Sequence, residues 1–537
     1  MGLQRRNKFG VAIPTSAPST LTNRLVPLTQ GLAGSTLPWP AQPAGSSQSM
    51  VNWLPIHGSL TPRSRLSSMN TIRASGGTIQ GMGILTLGSS AGHEIYYSSV
   101  TLHGLLNSNG SISRASFVSA FGMGTPPGTD AFTWQYAQGY SAALDLNVLI
   151  AAPGSGSTLQ VIYRTSGGGG PPQYSFITGA PNAVCVTAFD NYIIAFRTRP
   201  GATSAFYNTR VAWCARGDHM SGWSKEGSGF EDLLPMRGVG TAVKGTSDGR
   251  VILFTELETW YGITATYPQQ FQFNPLDTAI GCPVPGTIVE TDHGIMFVGS
   301  DNNLRLLPNG GGPSQIIAPS LHRVLRNELR TQGNPNIGNF SWAMWDRYSK
   351  LYYLFITTAP VATAGKPVRA FAVNPETGEW GYLEFDNYPT SGVAMGKTGS
   401  NYVTHDGLFF GNSTGTIYSY SSVLGTDSGS TVTSTWQSAP IGTDLPGNYK
   451  QLVQADLDYR ATSRGTVTLR ISQDGGNTYN DGTSQAVALP VAAYGGRATA
   501  HTYAGGAFPA IELTSTSTGI ELHRLDATMM TGGQRQR

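Results

Sequence analysis

The stretch SDGRVILFTELETWYGIT, residues 247–264, decides the fold. It opens on a turn at Ser247-Asp248-Gly249, where Asp can accept hydrogen bonds from turn amides and Gly can take positive φ. A compact apolar run, Val251-Ile252-Leu253-Phe254, follows at once and is bordered by turn residues on both sides. It is too short for a helix and rich in β-formers. After Glu256-Leu257-Glu258 the chain restarts as Thr259-Trp260-Tyr261-Gly262-Ile263-Thr264. The reading is two short strands joined by a hairpin.

The same unit recurs. AGHEIYY at 91, LDLNVLIAA at 144, FDNYIIAF at 189, DHGIMFV at 292, WDRYSKLYYLF at 345 and HDGLFFG at 405 each place a turn carrying Asp or Gly before an apolar run. Anchors at Gly92, Asp145, Asp190, Asp248, Asp292, Asp346 and Asp406 are spaced by 53, 45, 58, 44, 54 and 60 residues. A period of ~40–50 residues with several short strands per unit is the signature of a propeller blade. A lone four-stranded sheet cannot bury both faces, and its open edges invite aggregation; closing blades into a ring removes both problems. The expectation is an all-β protein whose residues 78–425 form an irregular β-propeller of six or seven blades. A string of β-sandwiches is the rival arrangement.

Residues 1–77 are rich in Pro, Ser and Thr and lack apolar periodicity, as in STLPWPAQPAGSSQS. They read as an extended arm lying on other surfaces, with Trp39 and Trp53 as anchors, against a plain disordered tail. From 426 to 537 the texture becomes period two (QLVQADLDYRA, RGTVTLRIS, AIELTS), which predicts a C-terminal β-sandwich. One helix is expected, in PSLHRVLRNELRTQ: Ser320 is its N-cap, and Leu321, Val324, Leu325 and Leu329 form its apolar face. Arg323, Arg326 and Arg330 lie on the other face, either solvated or docking a neighbouring subunit.

Only 12% of residues are charged, 68 of 537 are Gly, and the net charge is +3. That leaves no bulk footprint for a polyanion. The cations are skewed to 27 Arg against 7 Lys; Arg forks suit carboxylates, backbone carbonyls and subunit interfaces. Cys185, Cys214 and Cys282 have neither metal nor redox spacing and read as buried small apolar residues. No secretory h-region, myristoylation site or run of 18 apolar residues occurs, so the reading is a soluble product of a cytoplasm.

The search for chemistry begins with ISQDGGNTYND at 471–481, in which Ser472, Asp474, Gly476, Thr478 and Tyr479 match an Asp-box like that of sialidases. It occurs once, outside the propeller, where a hairpin turn is wanted, so it reads as a structural turn. A glycosidase needs two placed carboxylates, and Glu231-Asp232 and Glu256/Glu258 read as scattered, solvated acids. Gly396-Lys397-Thr398 lacks the first Gly and the helix of a phosphate loop. Arg216-Gly217-Asp218 reads as a tight turn. The expectation is no catalytic residue, no metal, no cofactor and no enzyme.

Residues 180–390 carry a larger pattern: NTRVAWCARGDHMSGW, DGRVILFTELETWYGI, FNPLDTAIGCPVPGTIVETDHGIMFVGSDNNLRLL, the helix LHRVLRNEL, and AMWDRYSKLYYLFI with AFAVNPETGEWGYLEF. In this order they resemble the tail nozzle, or tail tubular hub, proteins of short-tailed bacteriophages. That resemblance implies a propeller in each subunit and a homo-oligomeric ring, commonly a hexamer, below the head-to-tail connector. It further implies transient passage of double-stranded DNA through the ring, attachment of tail fibres or spikes, and a place in the virion tail after synthesis in a host bacterial cytoplasm. A sialidase-like, carbohydrate-active or receptor-binding propeller is the alternative.

Overall fold

The computed structural model describes residues 20–26, 28, 47–56, 58–71, 78–86, 93–99, 103–106, 112–113, 133–141, 144–154, 156–164, 172–201, 203–266, 269–331, 341–356, 370–386, 388–394, 407–421, 426–427, 429–441, 449–479, 484–506 and 508–531. The chain forms two compact units: residues 65–378 with 384–430, and residues 1–64 with 379–383 and 431–537. Strands dominate both, as expected.

The first unit is a β-propeller. Among its described residues are six four-stranded sheets, five of them contiguous antiparallel meanders. The meander from the opening stretch runs Gly240–Gly245, Val251–Thr255, Thr259–Thr264, Phe271–Asp277. Its second strand is buried at every position. Trp342–Asp346, Leu351–Phe355 and Ala370–Val373 continue the pattern in this unit. First strands pack against first strands: Ile79–Thr86 against Trp134–Ser141, that strand against Asn182–Phe189, and Asn182–Phe189 against Gly240–Gly245. Pro389–Ala394 returns the packing to Ile79–Thr86. Between sheets lie apolar layers, such as Cys185, Phe196, Trp213, Val251, Leu253, Trp260 and Phe271.

The recurring turns join first to second strands. Asp145, Asp190 and Asn191 take positive φ (52°, 42° and 64°), as do Gly249 and Gly407 (82° and 75°). In the 247–264 stretch, Arg250 pairs with Asp248 across the turn, and the Gly310 amide donates to Asp248 at 2.9 Å. The anchors Gly92 and Asp406 lie outside the described residues.

The sixth sheet is closed from the far end of the chain. Pro389–Ala394, Leu408–Asn412 and Thr416–Ser421 are completed by Arg65–Thr71, whose Leu66 pairs with Tyr420. The Leu66 amide donates to the buried Asp427 carboxylate at 2.8 Å. The described part of the segment expected to lie on other surfaces is thus built into sheets, and the compact unit that holds the propeller begins at residue 65. Polar Arg65–Thr71 looked like arm because its pairing partner lies some 350 residues away in sequence.

The second unit holds two sheets and takes in the N-terminal strands. Thr20–Val26 pairs with Ile520–Thr531 over seven positions, from Thr20 with Thr531 to Val26 with Leu525. Ser47–Val51 pairs with Ser434–Ser438, and also in parallel with Trp380–Leu383 through Val51 and Tyr382. Trp53, an expected anchor, is fully buried; Trp39 lies outside the described residues. Lys450–Ala461 and Gly465–Ser472 alternate buried Leu452, Ala455, Leu457, Val467, Leu469 and Ile471 with outward residues.

Candidate functional site

Two places in the propeller concentrate polar chemistry. The first is its axis. A cavity of about 220 Å³ is walled by residues from six first strands, among them Ile79–Thr86, Trp134–Ser141 and Gly240–Gly245, and by residues 285–288 at a 3-10 turn. Gln80, Gln135, Thr187, Lys244, Thr390 and Ser391 supply its polar lining. Thr187 and Thr390 are committed to backbone: the Gly245 amide donates to Thr187 Oγ1 at 2.8 Å, and Thr390 Oγ1 donates to the Ile79 carbonyl at 2.8 Å. Ser391 is 6% exposed, and its hydroxyl has no partner in the protein. Burial pushes the Lys244 ammonium down, opposed by the charge of Glu290.

The second place is an outer groove of about 510 Å³ between two adjacent blades. Gly229–Asp232, the last strand of its sheet, brings Glu231 and Asp232; the hairpin at Thr255–Thr259 brings Glu258, and Trp260 follows it. Glu258 is buried, which raises its carboxyl. That effect is outweighed by hydrogen bonds from Arg237 and from the Trp260 indole N–H at 3.1 Å, so the group ends below the usual carboxylate range. Glu231 is exposed, and the partial desolvation of its carboxyl raises it from the ordinary value. Asp232 is held down by a bidentate Arg210, both contacts at 2.6 Å. Carboxyls moved in opposite directions within one groove are what acid–base chemistry requires. The sequence kept these acids apart because they belong to different sheets.

The Asp-box residues build a turn at the end of Gly465–Ser472. Ser472 Oγ donates to Asp474 Oδ1 at 2.6 Å, and the Gly476 amide donates to Ser472 Oγ at 2.8 Å. The Thr478 amide and hydroxyl donate to the Asp474 carboxylate at 2.9 and 2.7 Å. Those bonds, Ser472 first, hold the Asp474 carboxyl down at about 2. Gly475 and Gly476 take φ of 81° and 93°. The Ser472, Asn477 and Thr478 donors are turned onto Asp474, the Gly475 amide donates to the Phe508 carbonyl at 2.9 Å, and Tyr479 is half-buried beside the loop.

The helix runs His322–Thr331 after a 3-10 turn, Pro319–Leu321. Ser320 sits inside that turn, not at an N-cap, because Pro319 begins the turn one residue earlier. Leu321, Val324 and Leu325 are buried and Leu329 half-buried; Arg323 and Arg326 are exposed. The Arg330 side chain lies outside what the structure describes. Arg216-Gly217-Asp218 is a turn: Gly217 has φ 74°, and the buried Asp218 accepts from the Ser221 amide at 3.1 Å and pairs with Lys225 at 2.5 Å. The three thiols are buried and free, each pushed up to about 12 by burial, which removes them as nucleophiles. Among the described residues no group of three or more His, Cys, Asp or Glu is placed to hold a metal, and no helix is long and apolar enough to cross a membrane.

No protein-family model matches the chain, and no curated protein does. Solved structures do. An exo-beta-1,3-galactanase from Phanerochaete chrysosporium is 10% identical, with 87% of this chain and 99% of that one covered and a TM-score of 0.28. A glycoside hydrolase family 43 arabinoxylan arabinofuranohydrolase from Bacillus subtilis is 14% identical (95% and 99% covered, TM-score 0.23). YCF48 from Cyanidioschyzon merolae is 8% identical (66% and 99% covered, TM-score 0.37). These likenesses concern fold and bring no substrate with them. The exclusion of enzymes does not stand, however. The carboxylates taken as scattered share one groove.

Proposed function

We propose that this chain is a ring-forming subunit of the tail of a short-tailed bacteriophage, set below the head-to-tail connector, with double-stranded DNA passing through the ring. The observation that carries the proposal is the locking of the N-terminal segment into both units. Arg65–Thr71 closes the propeller, and Thr20–Val26 runs against Ile520–Thr531 in a seven-residue register. A conduit that must survive genome passage gains from strands whose release requires breaking a whole ladder. The order of motifs across 180–390, the near-neutral charge and the Arg excess support the same reading. Weak phosphate attraction suits a passage that must not hold DNA. A homohexamer, tail fibres or spikes as bound appendages, and a place in the virion tail belong to this proposal. Its test is mixing the purified chain with connector proteins from a short-tailed phage. Cosedimentation as a discrete particle is expected; separate sedimentation at every ratio would overturn it.

A second reading is favoured by the outer groove. Its carboxyls of opposite shift and the Trp260 ring fit a carbohydrate-active propeller. On that reading Glu231 is the proton donor and Glu258 the carboxylate. Turnover of plant or bacterial polysaccharides should fall at least ~100-fold in both Glu231→Gln and Glu258→Gln. Wild-type protein without turnover on such a panel would end this reading.

A further inference from the structure

His219 lies where two neighbouring sheets of the propeller meet, in the loop that follows Arg210–Trp213. It is 3% exposed, and both ring nitrogens are engaged by backbone. The Tyr140 amide donates to Nδ1 at 2.5 Å, and Nε2 donates to the Asn191 carbonyl at 2.8 Å. An amide N–H only donates and a carbonyl only accepts, so these partners fix the neutral ring with its proton on Nε2. The His219 amide also donates to the Tyr140 carbonyl at 3.2 Å. One residue thereby caps the outer edge of Trp134–Ser141 as a neighbouring strand would, and ties it to the hairpin at Asp190-Asn191 in the next sheet. The strand backs directly onto the ring: a Cβ on Gly139 would sit 2.8 Å from Nδ1. The ring has no room to take a second proton without parting from the strand.

The surrounding charges offer that proton no acceptor. On the same loop, the Asp218 carboxylate pairs with Lys225 at 2.5 Å and accepts from the Ser221 hydroxyl at 2.7 Å. In the hairpin of the same sheet, Asp190 pairs with Arg216 at 3.0 Å. In the sheet of Tyr140, Asp145 accepts from the Tyr140 hydroxyl. From further round the propeller, Glu290 accepts from the Ser247 amide at 2.7 Å. His219, Tyr140, Asp190, Asn191, Tyr192 and Glu290 line one cavity of about 820 Å³, which gives the loop space to move into. Burial pushes the imidazole below its ordinary value, outweighing the Asn191 carbonyl and the Asp218 charge.

We propose that His219 is an acid-sensitive latch between these two blades: a proton taken from solvent onto Nδ1 sets two N–H groups face to face, Tyr140 parts from the ring, and residues 215–222 lift off the strand edge. Only hydrogen bonds change. A histidine held down by folding contributes stability that is whole above pH ~6.5 and is lost as pH falls through that value, because the open form binds the proton more readily. The latch rests on this joint alone and depends on neither the tail reading nor the outer groove.

The test is hydrogen–deuterium exchange of the full chain at about pH 7.5 and about pH 5, corrected for intrinsic exchange and referred to the buried strand Val251–Thr255. Residues 138–141 and 215–222 should lose protection at least ~10-fold in acid relative to that strand, the effect of stranding one buried donor. His219→Asn keeps an acceptor near the place of Nδ1 and His219→Gln a donor near the place of Nε2; neither titrates, and their relative protection should be the same at both pH values. Should a variant not fold, wild type decides alone: its loss must be confined to the two segments and must begin below pH ~6.5. Unchanged protection in wild type, a loss spread evenly over the propeller, or an equal loss in His219→Asn would each overturn the proposal.

Discussion

Replacing Leu66 with Pro is expected to destabilise the propeller by at least ~4 kcal/mol. Leu66 is 1% exposed near the start of the closing strand, and its amide donates to the buried Asp427 carboxylate at 2.8 Å. Proline removes that donor and leaves the carboxylate one partner short, a charged hydrogen bond of about 1.5–3 kcal/mol. Distortion of the strand and the lost leucine packing add to it. Leu66→Met keeps the amide and nearly the volume and should cost less than ~1.5 kcal/mol. Denaturant unfolding of both variants checks this. A midpoint for Leu66→Pro matching wild type would mean that the ring does not rely on its N-terminal strand.

Trp436→Ala is the counterpart in the other unit, with an expected loss of about 4–5 kcal/mol. The ring is fully buried, and its indole N–H donates to Ser47 Oγ at 2.7 Å and to the Leu28 carbonyl at 3.1 Å. One side chain thus fastens the N-terminal segment to Ser434–Ser438. Truncation costs a large cavity and strands two buried acceptors. Trp436→Phe refills most of the volume but restores no donor, so it should lose only ~1–2 kcal/mol. Limited proteolysis gives a second readout: cleavage near residues 28–47 should accelerate in Trp436→Ala. An unchanged cleavage rate would show that this contact does not hold the segment.

Much of the propeller was legible because its turns are local. Asp145, Asp190, Asp248, Asp292 and Asp346 sit in or at the start of hairpins between first and second strands, where chemistry within four residues sets the geometry. The Asp-box was legible for the same reason, since Ser472, Asp474 and Thr478 satisfy one another. The closing strand was not, because nothing in Arg65–Thr71 names Thr416–Ser421 as its partner; register across such a gap is fixed by the assembled sheet. The groove acids failed similarly: Glu231 and Glu258 come to line one groove only once two sheets pack. Lys244, in GTAVKG, reads like any outward-facing lysine of a half-buried strand. Only the direction of the first strands, toward a shared axis, makes it an interior charge.

The most direct test of the central claim is the mass of the purified chain in solution, with negative-stain images of the same sample, alone and after addition of connector proteins. The account predicts a closed ring near six copies with a central hole, formed by the chain alone or on the connector. A 56.9 kDa monomer under both conditions would contradict it.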